Sequence, residues 1–269
     1  MKARGAVLIV FMALAAGPVV ADGIPAELSP GPAVRVADVV DGDTVVLREA
    51  VDGADQVRLV GIQAPKLPLG RKDFPTWPLA AAAKQALLKI INGKRLRLAF
   101  GDARMDRHGR HLAHLYADDG TWVQGAMLRL GMARVYSFAD NRRLVTVMLD
   151  LERQARMARR GIWGLRFYAV RAADDLDRLQ RDVGTFQLIK GRVTDAAKVK
   201  SRVYLNFGEN WRDDFTVSLD AKARRLFSDA GMDALALKGQ HVRVRGWLKR
   251  RNGPQVVVSH PEQLEVLDR

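Results

Sequence analysis

Cysteine is absent from the 269 residues. That excludes disulfides, thiolate zinc sites and cysteine-linked lipid anchors, and it leaves stability to packing. Acidic residues are in short supply: 30 Asp and Glu stand against 44 Lys and Arg, a formal net charge of +14. Such an imbalance favours a polyanionic partner, because every Lys or Arg that pairs with a phosphate releases condensed counterions. Apolar runs long enough to cross a bilayer, about 20 residues, are also lacking. The short run over 6–16 follows Lys2 and Arg4 and precedes the small-residue stretch Val19-Val20-Ala21. This is the plan of a secretory signal peptide over 1–21, which predicts a mature start at Asp22, a periplasmic or secreted destination and no membrane span after cleavage.

What is present is an ordinary globular composition, 48% hydrophobic and 28% charged, with enough length for two modest domains. Short β-rich runs over 34–40, 44–47 and 56–62 are followed by a Pro-rich loop over 65–78. Apolar positions Leu79, Ala83, Ala86, Leu87, Ile90 and Ile91 then keep helical spacing until Asn92-Gly93. Strands are expected over 94–100 and 111–116, with helices over 124–130 and 142–160, the last stopped by Gly161. Residues 166–183 read as a helical connector. A second β-rich region begins near 184: runs over 186–193, 199–207 and 215–219, a helix over 221–230, then runs over 241–248 and 255–258. Three strands, a helix and two strands is the order of an OB-type barrel.

The chemistry-bearing residues begin with Asp41-Gly42-Asp43-Thr44, two carboxylates at i and i+2 around a glycine turn, a pair able to hold a hard cation if other oxygens join it. Two further segments follow, Val57-Arg58-Leu59-Val60-Gly61-Ile62-Gln63-Ala64-Pro65-Lys66 and His108-Gly109-Arg110-His111-Leu112-Ala113-His114-Leu115-Tyr116. In this order and spacing, and with Gly161-Ile162-Trp163 at its end, the stretch over about 34–165 resembles the staphylococcal nuclease-like (thermonuclease) family. The resemblance implies a mainly β, α+β fold, a five-stranded OB-type barrel carrying helices, over 22–165. It implies an endonuclease that hydrolyses phosphodiesters, with Arg58 and Arg110 clamping the scissile phosphate. Planar guanidinium groups suit that role because they donate paired hydrogen bonds to phosphate oxygens.

The same resemblance implies a calcium ion held by Asp43, supported by Asp41, with Gln63 at a second ligand position and Lys66 where a water-activating glutamate is expected. Gln63 and Lys66 depart from the family pattern. Gln63 offers an amide oxygen but no charge, so any calcium site is weakened. An ammonium at Lys66 cannot take a proton from water, and it could pair with Asp43 in the metal's place. His114 and Asp73 are the substitute bases within reach of the strand and loop, and a catalytically inactive nucleic-acid-binding or scaffolding module is the alternative function.

For nucleic-acid binding, DNA or RNA and single-stranded, the sequence offers Tyr136 and Phe138 as base platforms beside the clamp. In the OB-like region over 184–269 it offers Tyr204 and Trp211, with Arg243, Arg245, Lys249, Arg250 and Arg251 around the Asn252-Gly253 turn.

Overall fold

The structure, a computed structural model, describes residues 23–267. The expected signal peptide over 1–21 lies outside the described residues. Two curled sheets follow one another along the chain, each wrapped around its own apolar core.

The first half contains β1 (Ser29–Val34), β2 (Val36–Asp41), β3 (Thr44–Val51), β4 (Ala54–Leu59), β5 (Ile62–Gln63), α1 (Ala80–Ile91), β6 (Leu96–Phe100), β7 (His111–Ala117), α2 (Val123–Arg129), β8 (Arg134–Val135) and α3 (Val145–Met157). Its main sheet runs β1-β6-β7-β4-β3-β2. Only Arg35 separates β1 from β2, yet they stand at opposite ends of this path, so the order closes on itself as in a five-stranded barrel. The β4–β7 pair is parallel, and it sets Arg58 beside Leu112, two residues on from Arg110. Val45, Val57, Leu59, Leu98, Ala113 and Leu115 alternate inward, and α1 covers them with Ala83 and Leu87. This apolar burial is the main driving force for the half, and it leaves β2, β4 and the 64–66 loop to converge at one end.

A linker segment follows. It holds the helix α4 (Leu176–Arg181), whose Leu179 enters the second core, and also β9 (Arg171–Ala172), which pairs with the second sheet. Arg171 is buried and binds Asp182 at 2.7 Å.

The second half contains β10 (Phe186–Arg192), β11 (Asp195–Val199), β12 (Arg202–Asn206), β13 (Thr216–Leu219), α5 (Ala221–Asp229), β14 (His241–Arg251), β15 (Gly253–Val258) and β16 (Leu264–Leu267). Its sheet runs β11-β12-β13-β15-β14-β10-β9, with β16 beside β14; the consecutive strands β10 and β11 lie far apart along it, and β13–β15 and β9–β10 are parallel pairs. Four strands, β10 to β13, precede α5, where the sequence order predicts three. One difference is the run over 199–207, which is the return of a hairpin: Lys200 adopts φ 53°, and β11 and β12 fold back on each other there.

The two halves meet through a third apolar cluster, in which Ala155, Ile162, Trp163 and Tyr168 pack with Phe186 and Leu188. Among the described residues no helix is long and apolar enough to cross a membrane.

Candidate nuclease-like site

Asp41 ends β2 and Asp43 precedes β3, so the glycine between them must turn the chain tightly against α1 and the 64–66 loop. A Cβ on Gly42 would lie 2.6 Å from Ala64 Cβ and 2.8 Å from Ala83 Cβ. The turn therefore buries both carboxylates, leaving Asp41 3% and Asp43 0% exposed. Such burial requires compensation. It comes from Lys66, whose Nζ donates to Asp41 Oδ2 at 3.0 Å, Asp43 Oδ1 at 2.7 Å and Asp43 Oδ2 at 2.8 Å.

The fourth oxygen is also engaged: Asp41 Oδ1 accepts from the Asp43 amide at 3.0 Å, and Asp43 Oδ2 accepts a second hydrogen bond, from the Ala64 amide at 2.6 Å. Burial by itself would raise the Asp43 pKa, but the nearby charges of Arg58 and Lys66 and the Ala64 hydrogen bond hold its carboxyl well below the usual carboxylate range. Burial and the neighbouring Asp43 charge push Asp41 the other way, above that range, against the pull of Lys66.

These residues do not fit calcium. The ion takes six to eight oxygens, and all four carboxylate oxygens here already accept from protein donors, three of the hydrogen bonds coming from one ammonium. Gln63 adds no oxygen to the pair either. Its Oε1 accepts from Arg134 Nε at 3.0 Å and Nη2 at 2.7 Å. Gln63 is therefore an anchor for a buried arginine rather than a metal ligand in this arrangement. Arg134 lies over the Phe186 ring at 4.7 Å, and burial lowers its pKa to about 10, which keeps it cationic at neutral pH. Among the described residues no group of three or more His, Asp or Glu is placed to hold a metal ion.

Arg58 leaves β4 next to the carboxylates. Its Nη1 donates to the carbonyls of Leu59 at 2.7 Å and Asp43 at 3.2 Å, and its Nη2 donates to the Ile62 carbonyl at 2.6 Å and stands 3.4 Å from Asp43 Oδ2. Arg110 is locked differently. Asp106 accepts from its amide at 3.0 Å and from its guanidinium Nε at 2.8 Å, and Gly109, at φ 75°, turns the chain between them. Burial would raise the Asp106 pKa, but the Arg110 and His108 amides and the Arg110 side chain lower it on balance.

Both arginines line one groove of about 620 Å³, together with Tyr136, Phe138, His108 and Trp247. Tyr136 and Phe138 meet edge to face at 4.9 Å, and Phe138 is 52% exposed. Trp247, from β14 of the second half, donates from Nε1 to the Tyr136 hydroxyl at 3.0 Å. The groove is thus built by both halves of the chain.

The other expected site residues separate into three places. Tyr204, Trp211 and Arg251 line a second pocket on the far barrel, with Lys249 and Arg250 exposed on the adjoining hairpin. Arg243 and Arg245 are instead drawn into the junction between the halves. Arg245 is 1% exposed and binds Glu152 at 3.0 Å and Glu265 at 2.7 Å, while Arg243 reaches Glu265 at 3.2 Å. Arg245 presents no charge to a nucleic acid here, because it is buried against α3, and the half-buried Arg243 is tied to Glu265. His114 is also remote from proton transfer to a substrate: burial depresses its pKa to about 3, and its Nδ1 accepts from Trp122 Nε1 at 3.3 Å. Asp73 lies on the exposed 66–78 loop and does not line the groove.

Sequence reasoning missed Arg134, Asp106 and Trp247. Asp106 was legible as the start of an Asp-x-x-Gly-Arg turn, since Asp side chains commonly cap such turns. Trp247 carried no local signal, because its neighbours in the groove are more than 100 residues away.

Residues 56–164 match the family described as staphylococcal nuclease homologue. An "uncharacterized endonuclease" of Escherichia coli O157:H7 is 32% identical over 129 residues, which cover 48% of this chain and 75% of that protein. A probable staphylococcal-like nuclease of Oryza sativa subsp. japonica is 36% identical over 108 residues, covering 40% of this chain and 28% of its own length. An SPbeta prophage-derived endonuclease of Bacillus subtilis (strain 168) is 32% identical over 139 residues, covering 50% and 45%. The family match contains Arg58, Gln63, Lys66 and Arg110, and stops before the second barrel.

Proposed function

The chain belongs to the staphylococcal nuclease homologue family, and from that premise we propose that it is an exported nucleic-acid-binding nuclease whose centre is organised by Lys66 instead of calcium. The observation that carries this reading is the groove that brings Arg58 and Arg110 together, each guanidinium held in place by protein acceptors, beside an aromatic wall. A phosphodiester seated there meets two prepositioned cations, and fixed charges aimed at a phosphoryl group stabilise the negative charge that builds during displacement. Relatives named as endonucleases support hydrolysis as the reaction. The secretory pattern over 1–21 supports export.

In this centre Lys66 bridges Asp41 and Asp43 and holds the 64–66 loop against the turn. It supplies no base. A positioned base contributes about 10² to 10⁴ in rate, so turnover is slow. A second reading, a binding module that grips phosphates without cleaving them, is favoured by that same lysine.

One assay separates the two. Full-length mature protein is incubated with single-stranded DNA or RNA in the presence of calcium or a chelator. Slow cleavage that the chelator leaves unchanged, and that Arg58→Ala or Arg110→Ala abolishes, supports the nuclease. Salt-sensitive binding that Arg58→Ala/Arg110→Ala weakens, with no cleavage, supports the binding module. Cleavage that appears only with calcium contradicts the lysine-centred site, and absence of both cleavage and binding overturns both readings. The double variant Gln63→Asp/Lys66→Glu is expected to gain a calcium-dependent rise in melting temperature, because it frees the carboxylates and restores charge to the ligand set.

A further inference from the structure

The second barrel carries a face that the nuclease-like groove does not use. Strand pairing aligns its outward positions: Ala197 lies opposite Tyr204, Asn206 opposite Thr216, Thr216 beside Gln255, and Gln255 opposite Lys249. These positions have the parity opposite to Val203, Leu205, Val217 and Val256, which fill the core. A pocket of about 460 Å³ sits on this face. Two of its lining residues are unusually open for large apolar side chains: Val199 is 55% and Trp211 52% exposed.

The loop that carries Trp211 is braced. Asp214 Oδ2 accepts from the Gly208 amide at 2.9 Å, and Thr216 Oγ donates to Asp214 Oδ1 at 3.0 Å. The β14–β15 hairpin packs against the loop so closely that a Cβ on Gly253 would collide with the backbone oxygens of Asp213 and Asp214. A braced loop thus carries an exposed indole at the edge of a polar-edged floor. The Arg212 guanidinium lies 4.6 Å from the Trp211 ring, Arg251 lines the pocket, and Lys249 shares its face. The lining acid, Asp195, is paired with Lys238 at 2.7 Å.

We propose that this face of the second barrel, between Trp211 and Arg251, is a separate binding site for single-stranded nucleic acid. One base stacks on the Trp211 and Tyr204 rings, and the cations of the hairpin follow the backbone. Aromatic stacking beside a basic rim is the chemistry by which barrels of this order hold single strands without reading sequence. Neutral saccharides also suit aromatic floors, but the net charge of +14 and the basic hairpin favour a polyanion. The site shares only its class of ligand with the Arg58–Arg110 groove and does not depend on cleavage.

The test uses full-length mature protein and a fluorescein-labelled oligothymidylate of about twenty nucleotides, followed by anisotropy at fixed salt. Arg58→Ala/Arg110→Ala protein is expected to retain binding. Adding Trp211→Ala and Tyr204→Ala to that background weakens it about tenfold or more, whereas Trp211→Phe in the same background keeps it within a few-fold. Wild-type protein carrying only Trp211→Ala/Tyr204→Ala keeps its arginine-dependent binding, so failure of either site reads out separately. The proposal is overturned if Arg58→Ala/Arg110→Ala alone removes all binding, if the aromatic substitutions change nothing, or if a neutral oligosaccharide displaces the oligothymidylate from the Arg58→Ala/Arg110→Ala protein.

Discussion

A single residue decides the character of the nuclease-like centre. Two buried carboxylates separated by one glycine repel each other, and Lys66 resolves this with three hydrogen bonds from one ammonium. Asp43 has a folded pKa below its unfolded value, so its contribution is present above about pH 4 and is lost as the pH falls through the folded value. Asp41 has a raised folded pKa, so its ionised form opposes folding at neutral pH and acid relieves it. Lys66→Met removes the shared partner and leaves two charges facing Arg58 alone. The expected loss is about 3 kcal/mol at pH 7, the scale for removing one member of a buried ion pair. Asp41 then takes up a proton more readily, so the loss should shrink at pH 4.5. Urea denaturation at both pH values checks this; an equal loss at each would mean that Lys66 does not govern the pair.

Elements explain which parts of this centre were readable in advance. The strand–turn–strand pattern around Asp41-Gly42-Asp43 was legible because a glycine flanked by β-branched runs marks a turn, and the possible pairing of Lys66 with Asp43 followed from charge alone. Gln63 was harder. Its partner Arg134 sits on β8, a two-residue strand too short to show periodicity, and that pairing with β5 is visible only in the folded chain. On β14, Arg243 and Arg245 alternate as a solvent-facing stripe would, but the face they share meets α3 of the other half. Charge pattern gives parity, and parity alone does not say which face is covered. Gly42 tests the local part of this reasoning. Gly42→Ala inserts a methyl group between Ala64 and Ala83, and overpacking of this kind costs about 1–3 kcal/mol. Because α1 must shift to admit it, the variant should show a lowered melting temperature together with weaker phosphate-dependent binding. Loss of stability without any change in binding would separate the turn from the groove.

The whole molecule is held together by an ion network rather than by apolar contact alone. Glu152 of α3 is 0% exposed and binds Arg245, Arg156 at 2.7 Å and the Val135 amide at 2.6 Å, while Arg245 also reaches Glu265. Burial would raise the Glu152 pKa, but the Arg245 charge and these hydrogen bonds hold it below the usual range, so it stays ionised inside the junction. Nearby, His260 bonds Ser137 across the halves at 2.8 Å. Since Trp247 lies two residues beyond Arg245 on the same strand, the junction also sets where the second barrel enters the Arg58–Arg110 groove. Arg245→Met strands Glu152 without its main partner, a change that typically costs about 3–5 kcal/mol. The cost falls on the junction rather than on either core. Calorimetry of wild-type protein should therefore show one cooperative transition, and Arg245→Met should split it into two. Arg250→Met, which removes an equal charge from the exposed hairpin, should leave the single transition intact. If both variants unfold in one step at the same temperature, the network does not couple the halves, and the groove's second wall must be positioned by the Phe186 and Trp163 packing alone.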